Sequence, residues 1–116
     1  MDISNELGTV EISDEVLCTI ANVAANEVDG VASMASSLSG NLKELITKKY
    51  TGKGISVENT DSGFVVTANI IVKYRANVQD VAVKVQDAIL AAIRDMTNYE
   101  VAAVNVNVVN VQITEE

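Results

Sequence analysis

Along Phe64-Val-Val-Thr-Ala-Asn-Ile-Ile-Val-Lys-Tyr74 the polarity alternates. Phe64, Val66, Ala68, Ile70, Val72 and Tyr74 form one set; Val65, Thr67, Asn69, Ile71, Lys73 and Arg75 form a second, polar apart from two aliphatic residues. A period of two is that of a strand with one face on a core. Ile55-Ser-Val-Glu58 is a shorter strand, and the turn-rich Asn59-Thr-Asp-Ser-Gly63 between them predicts a hairpin. Thr9-Val-Glu-Ile12 also alternates.

Two segments carry the helical period instead. Val16, Leu17, Ile20, Ala21, Ala24 and Val28 form one stripe, with Ser13 as N-cap, Asp14 and Glu15 in the first turn, and Gly30 available for a left-handed stop. Val78, Val81, Ala82, Val85, Ile89, Ala92, Ile93 and Met96 form the other, capped by Asn77 and closed by Asn98. The small, polar stretch 32–40 reads as a connection. Asn41 with Glu44 three residues later then predicts a short helix carrying Leu42, Leu45 and Ile46 up to Tyr50, ended by Thr51-Gly-Lys-Gly54.

The last segment, Val101-Ala-Ala-Val-Asn-Val-Asn-Val-Val-Asn-Val-Gln-Ile113, slips its phase once. Val104, Val106 and Val108 share one face, while Val109, Val111 and Ile113 fall on the other if the strand is regular. A β-bulge at Val108-Val109 would return both sets to the core side. A regular strand would instead add Val109, Val111 and Ile113 to Val65 and Ile71 as an apolar patch, the usual mark of a contact surface.

The elements run strand, helix, short helix, strand, strand, helix, strand. This predicts an α+β two-layer sandwich: one domain over 1–116, a four-stranded mixed sheet under two long helices and one short helix, with 1–7 and 114–116 as flexible tails. A split βαβ topology is the natural arrangement to test. One sheet face would then lack a helical cover.

Composition narrows the function. A net charge of −8 disfavours nucleic acid and anionic lipid surfaces as partners. The single cysteine, Cys18, forms no internal disulfide and fits a reducing compartment, and no apolar run is long enough for direct membrane insertion. The N-terminus lacks the basic start and apolar stretch of a signal peptide, so a soluble intracellular protein is expected.

Several residue groups add to a resemblance. Gly8-x-Val-x-Ile-Ser13, Val16, Ile20-Ala21, Ala24 and Glu27-Val28-x-Gly30-Val31 resemble the opening of the alkaline shock protein family, the Gls-type envelope stress proteins of mainly Gram-positive bacteria. Gly54-Ile-x-Val57, Ile70-x-Val-Lys-Tyr74, Val81-Ala82, Val85-Gln86, Ala92-Ile93, Met96-Thr97 and Val104-Asn-Val-Asn-Val108 extend the likeness to about Ile113. Arg75 and Asn98 depart from it, standing where family members often carry glycine; Asn98 keeps the cap plausible, and Arg75 puts the turn's shape in question. The resemblance implies a cytoplasmic, non-enzymatic protein of envelope homeostasis, sometimes held at the membrane by a partner, with no catalytic residues or cofactors to transfer.

The residues agree with that. Histidine is absent, which removes Ser-His-Asp and Cys-His activation and the commonest zinc ligand. Cys18 reads as a small core residue. Glu58-Asn-Thr-Asp-Ser-Gly63 lacks the spacing of a calcium loop, and Thr51-Gly-Lys-Gly54 that of a phosphate loop. Tyr50 and Tyr74 do not make a base-stacking platform in so acidic a chain. Lys43, Lys48, Lys49 and Lys53 form a basic segment that reads either as a solvated helix face or as a docking segment for an acidic partner.

The expectation is an adaptor or scaffold that contacts a protein partner, free or itself membrane-anchored, or a second copy. The patch of Val65, Ile71, Val109, Val111 and Ile113 or the lysine segment would make the contact. The alternative is a small-molecule or lipid-binding module with an apolar pocket between sheet and helices.

Overall fold

A computed structural model describes residues 2–35, 49–52 and 54–113. The elements are β1 (Asp2–Asn5), β2 (Gly8–Glu11), α1 (Asp14–Asn26), β3 (Val31–Met34), β4 (Lys49–Gly52), β5 (Ile55–Thr60), β6 (Gly63–Lys73), α2 (Val78–Thr97) and β7 (Val101–Gln112).

The helices form where caps and periodicity place them. Ser13 Oγ accepts from the Val16 N–H at 3.4 Å, and Asn77 Oδ1 accepts from the Asp80 N–H at 3.0 Å. Each satisfies one of the N–H groups that a helix start leaves unpaired. Asn98 closes α2 with φ 63°, and Gly30 takes φ 100° in the turns after α1, as their side chains permit.

β6 is the central strand. β7 runs parallel along one of its edges from Phe64↔Val101 to Lys73↔Gln112. β5 pairs antiparallel with its first half and β3 with its second, so those two lie end to end along the other edge. β4 lies outside β5, which completes a mixed five-stranded sheet. β6, α2 and β7 form a βαβ unit with its strands adjacent, so the topology is not the split form.

Phe64, Val66, Ala68, Ile70 and Val72 are buried, as expected, with Ile55 and Val57 beside them. Leu17, Cys18, Ile20, Ala21, Ala24 and Ala25 of α1, and Val81, Val85, Ile89 and Ile93 of α2, belong to the same core. The i, i+4 stripe of α2 turns one narrow face inward. Phe64 stacks on Tyr99 at 5.4 Å, which carries the core to the start of β7.

Four expectations are corrected. The strand read at 9–12 does not join the main sheet: it pairs with β1 as a separate hairpin, so the 1–7 segment is not simply a tail. Stretch 32–40 begins with strand β3, because the outer edge of β6 has free backbone groups to pair. Ala35 N–H donates to Asn69 O at 2.9 Å and Lys73 N–H to Gly30 O at 2.8 Å. Lys49–Gly52 is a strand and not the end of a helix; residues 41–48 of that short helix lie outside the described residues, as do 114–116. Gly54, read as part of a helix stop, sits instead in the β4–β5 turn with φ 83°, where a Cβ would stand 2.6 Å from Ala35 O.

Candidate interaction surface

The register of β7 settles the phase slip. Ile70 pairs with Val108 and Ile71 with Asn110, so Val109 is an extra residue with no partner, and Val72 then pairs with Val111. Register partners in a parallel pair share a face, so Val111 stands with Val72 on the helix side. A second irregularity lies between Phe64/Val101 and Val65/Ala103. The bulge therefore keeps Val104, Val106, Val108 and Val111 on one side of the sheet, with Val109 spliced between.

The five-residue patch anticipated from a regular strand is accordingly divided. Val65 and Ile71 lie on the face that none of the described helices covers, hereafter the uncovered face, half-buried, opposite Ala103 and Asn110. Val111 lies on the helix side at the sheet's edge, 36% exposed; Val109 occupies the bulge, 38% exposed; Ile113 follows the end of the strand, 75% exposed. Of the basic segment, Lys49 opens β4 opposite Glu58 in the register, while Lys43, Lys48 and Lys53 lie outside the described residues.

What occupies the uncovered face is mostly neutral and polar. Thr67 and Asn69 continue the row of Val65 and Ile71 on β6; Ser56 and Glu58 flank it on β5; Asn105, Asn107 and Asn110 flank it on β7. Asn107 Nδ2 donates to Asn69 Oδ1 at 2.9 Å across the strands. Across the five strands of this sheet only Lys49, Glu58 and Lys73 are charged, with Lys49 opposite Glu58 in the register. The sequence signal was present in Asn-Val-Asn-Val-Val-Asn, whose asparagines mark one face once the bulge is placed.

The outer edge of β7 is defended. Val104 O, turned away from β6, accepts from Gln86 Nε2 of α2 at 2.9 Å. The Val111 N–H is taken by the side chain of Asn110 at 2.8 Å. Side-chain caps and a bulge blunt an edge that would otherwise accept another strand. An open groove of about 340 Å³, lined by Gln86, Asp87, Leu90, Arg94 and residues 101–104, lies between the second helix and the last strand.

Cys18 is buried, and its Sγ donates to Ile55 O at 3.8 Å. Burial, reinforced by Asp14 and Glu15, pushes the thiol up to about 11. Such a thiol is neutral at physiological pH and makes a poor nucleophile. Among the described residues no group of three or more His, Cys, Asp or Glu is placed to hold a metal ion, and no helix is long and apolar enough to cross a membrane.

Comparison with known proteins places the chain. It is 35% identical over 106 residues to the uncharacterized protein YqhY of Bacillus subtilis, covering 91% of this chain and 78% of that one. It is 26% identical over 110 residues to a stress response regulator gls24 homolog of Streptococcus pyogenes, covering 94% of this chain and 62% of that one. Among solved structures, a zinc form of a MamM CTD variant superposes with a TM-score of 0.53 at 15% identity, over 88% of this chain and 90% of that one. That likeness is one of fold alone. The family model of the alkaline shock proteins, described as having a cell envelope-related function, matches residues 2–113, and the chain belongs to that family.

Proposed function

We propose that this protein is a non-catalytic cytoplasmic adaptor of cell-envelope homeostasis or stress response, working through contacts made by its uncovered sheet face. The observation that carries this reading is a face on a chain of net charge −8 whose middle, Thr67, Asn69, Asn105 and Asn107 between half-buried Val65 and Ile71, is uncharged, with charge confined to Lys49 and Glu58 at one end and Lys73 at the other. Depletion of charge at the centre of a patch is what separates a contact surface from ordinary solvated surface. Membership of an envelope-related family supports the setting. The face would meet a protein partner, free or membrane-anchored, and no cofactor enters this reading.

Affinity capture from native cells with the full chain, compared with Ile71→Asp, tests the proposal. An envelope-linked protein retained by the wild type and lost by the variant is the expected result. Identical capture by both, or a turnover abolished by replacing one side chain, would sink it. A second reading, a small-ligand module, rests on the α2–β7 groove; native mass spectrometry of freshly purified protein that shows no bound molecule would remove it.

A further inference from the structure

We propose that the β1–β2 hairpin is a second contact surface, and that its occupant is a basic amphipathic helix of a partner protein. This site is separate from the uncovered sheet face and does not rest on it.

The hairpin has two unlike faces. Alternation sets Thr9 and Glu11 on one side of β2 and Val10, the register partner of Ile3, on the other. Ser4 Oγ and Thr9 Oγ1 approach to 3.5 Å on the polar side. Residues 4–11 are exposed throughout, and the hairpin packs extensively on no other described element. Two strands alone are only marginally stable in water, so this hairpin gains most from a surface laid against it.

Its apex adds an anchor. Asn5 Oδ1 accepts from the Leu7 N–H at 2.8 Å, an Asx turn at the point where Asn5↔Gly8 closes the ladder. That turn holds Leu7 97% exposed, and Val10, three residues on, is 50% exposed. Turns favour Gly, Pro, Asn, Asp and Ser, each for a backbone reason that leucine does not meet. A leucine there supplies apolar area outside the fold and nothing to the turn.

Charge selects the occupant. Residues 1–42 hold seven of the 16 acidic residues and none of the 8 basic ones, so this part of the chain carries nearly all of the net charge of −8. Glu6 stands next to Leu7 at the apex, and Glu11 ends β2. Such a rim repels an anionic bilayer, and it repels the same hairpin of a second copy. A helix with an apolar stripe flanked by Lys or Arg answers both the leucine and the carboxylates. The strands set its length: four residues rise about 13 Å, which is roughly two to three helical turns.

Fluorescence anisotropy tests this, with a labelled Leu/Lys amphipathic helical peptide as the probe and the full chain as titrant at about 0.15 M salt. Binding is expected with a Kd on the order of 10–100 µM. Leu7→Ser, which keeps the net charge, should weaken it roughly tenfold while leaving the thermal midpoint unchanged. Glu11→Lys should weaken it about fivefold, against less than about twofold for Asp95→Lys, the same change of charge on α2. Hydrogen exchange in residues 2–11 should slow when the peptide is added, with β6 unaffected.

No binding up to about 1 mM overturns the proposal, as does equal binding by the wild type and Leu7→Ser. Equal losses in Glu11→Lys and Asp95→Lys overturn it, because net charge then acts without a site. So does equal binding of a Ser/Lys peptide that lacks the apolar stripe, or displacement of the peptide by phosphatidylcholine vesicles, which makes the apex a lipid contact. A midpoint lowered by Leu7→Ser sets that leucine against its own chain and overturns it too. Ile71 lies on β6, so Ile71→Asp should leave the peptide bound, and failure here is read separately from failure of the proposed function.

Discussion

Deleting Val109 tests the placement of β7 more sharply than any substitution. In the observed register Val109 is surplus: Ile70 pairs with Val108 and Ile71 with Asn110, so removing Val109 leaves every other pair in place. Val109 is 38% exposed, so its enclosed part is worth about 1–2 kcal/mol of the ~1.5–3 kcal/mol for a whole valine. Not having to order one residue returns about 1–2 kcal/mol of backbone entropy. The net change is expected to stay within about 1 kcal/mol.

Deleting Val106 is the control. That shortening moves Asn107 to the position beside Ala68 on the helix side and drives the following valine outward. Lost valine burial of about 1–2 kcal/mol and an amide set against the core at about 1–3 kcal/mol sum to roughly 2–5 kcal/mol. Urea denaturation followed by circular dichroism, with the slope checked for constancy, reads both values. If the two deletions cost the same, Val109 is not a bulge residue and the assignment of Val111 to the helix side is wrong.

Three further outcomes follow from local geometry. Arg75 sits at φ 80° in a turn closed by the Ala76 N–H on Lys73 O at 3.0 Å, the third position of a type II turn, where glycine is preferred. Arg75→Gly should raise stability by about 0.5 kcal/mol after the lost contact with Tyr74, whereas Arg75→Ala should lower it by a similar amount; matching signs in urea titration would refute the strain. Thr97 Oγ1 donates to Ile93 O at 2.7 Å and accepts from the Tyr99 N–H at 3.0 Å in a buried site, so Thr97→Val should cost about 1–3 kcal/mol by thermal denaturation. An unchanged midpoint would show that those bonds contribute nothing. Cys18 should resist a thiol reagent at pH 8 until the chain unfolds. Its pKa rises from 9.0 to about 11 on folding, so its contribution is intact below pH 9 and falls between pH 9 and 11, by at most about 2–3 kcal/mol. Stability of the wild type relative to Cys18→Ala should therefore decline with pH only in that window, and a flat difference would contradict the shift.

Local features were legible in the sequence because their causes are local. Ser13, Asn77 and Asn98 cap helices through bonds or dihedrals that depend on a few neighbours, and the alternation from Phe64 to Val72 marks the core face wherever the strand pairs. The hairpin between β5 and β6 came from its turn residues in the same way.

Pairing was decided elsewhere. Val31–Met34 has the composition of a connection, and it is a strand because the second half of β6 offers unpaired backbone groups that β5 is too short to reach. The valines of β7 are consistent with either face; only hydrogen bonding to β6, residue by residue, places the extra one at Val109. The composition of that sheet face changed with that single step, from an aliphatic patch to an asparagine-lined face. A shift of one residue in a period of two exchanges the sides of all that follows; the adjacent Val108-Val109 marks in the sequence where a shift can occur, and only pairing with β6 decides that it does.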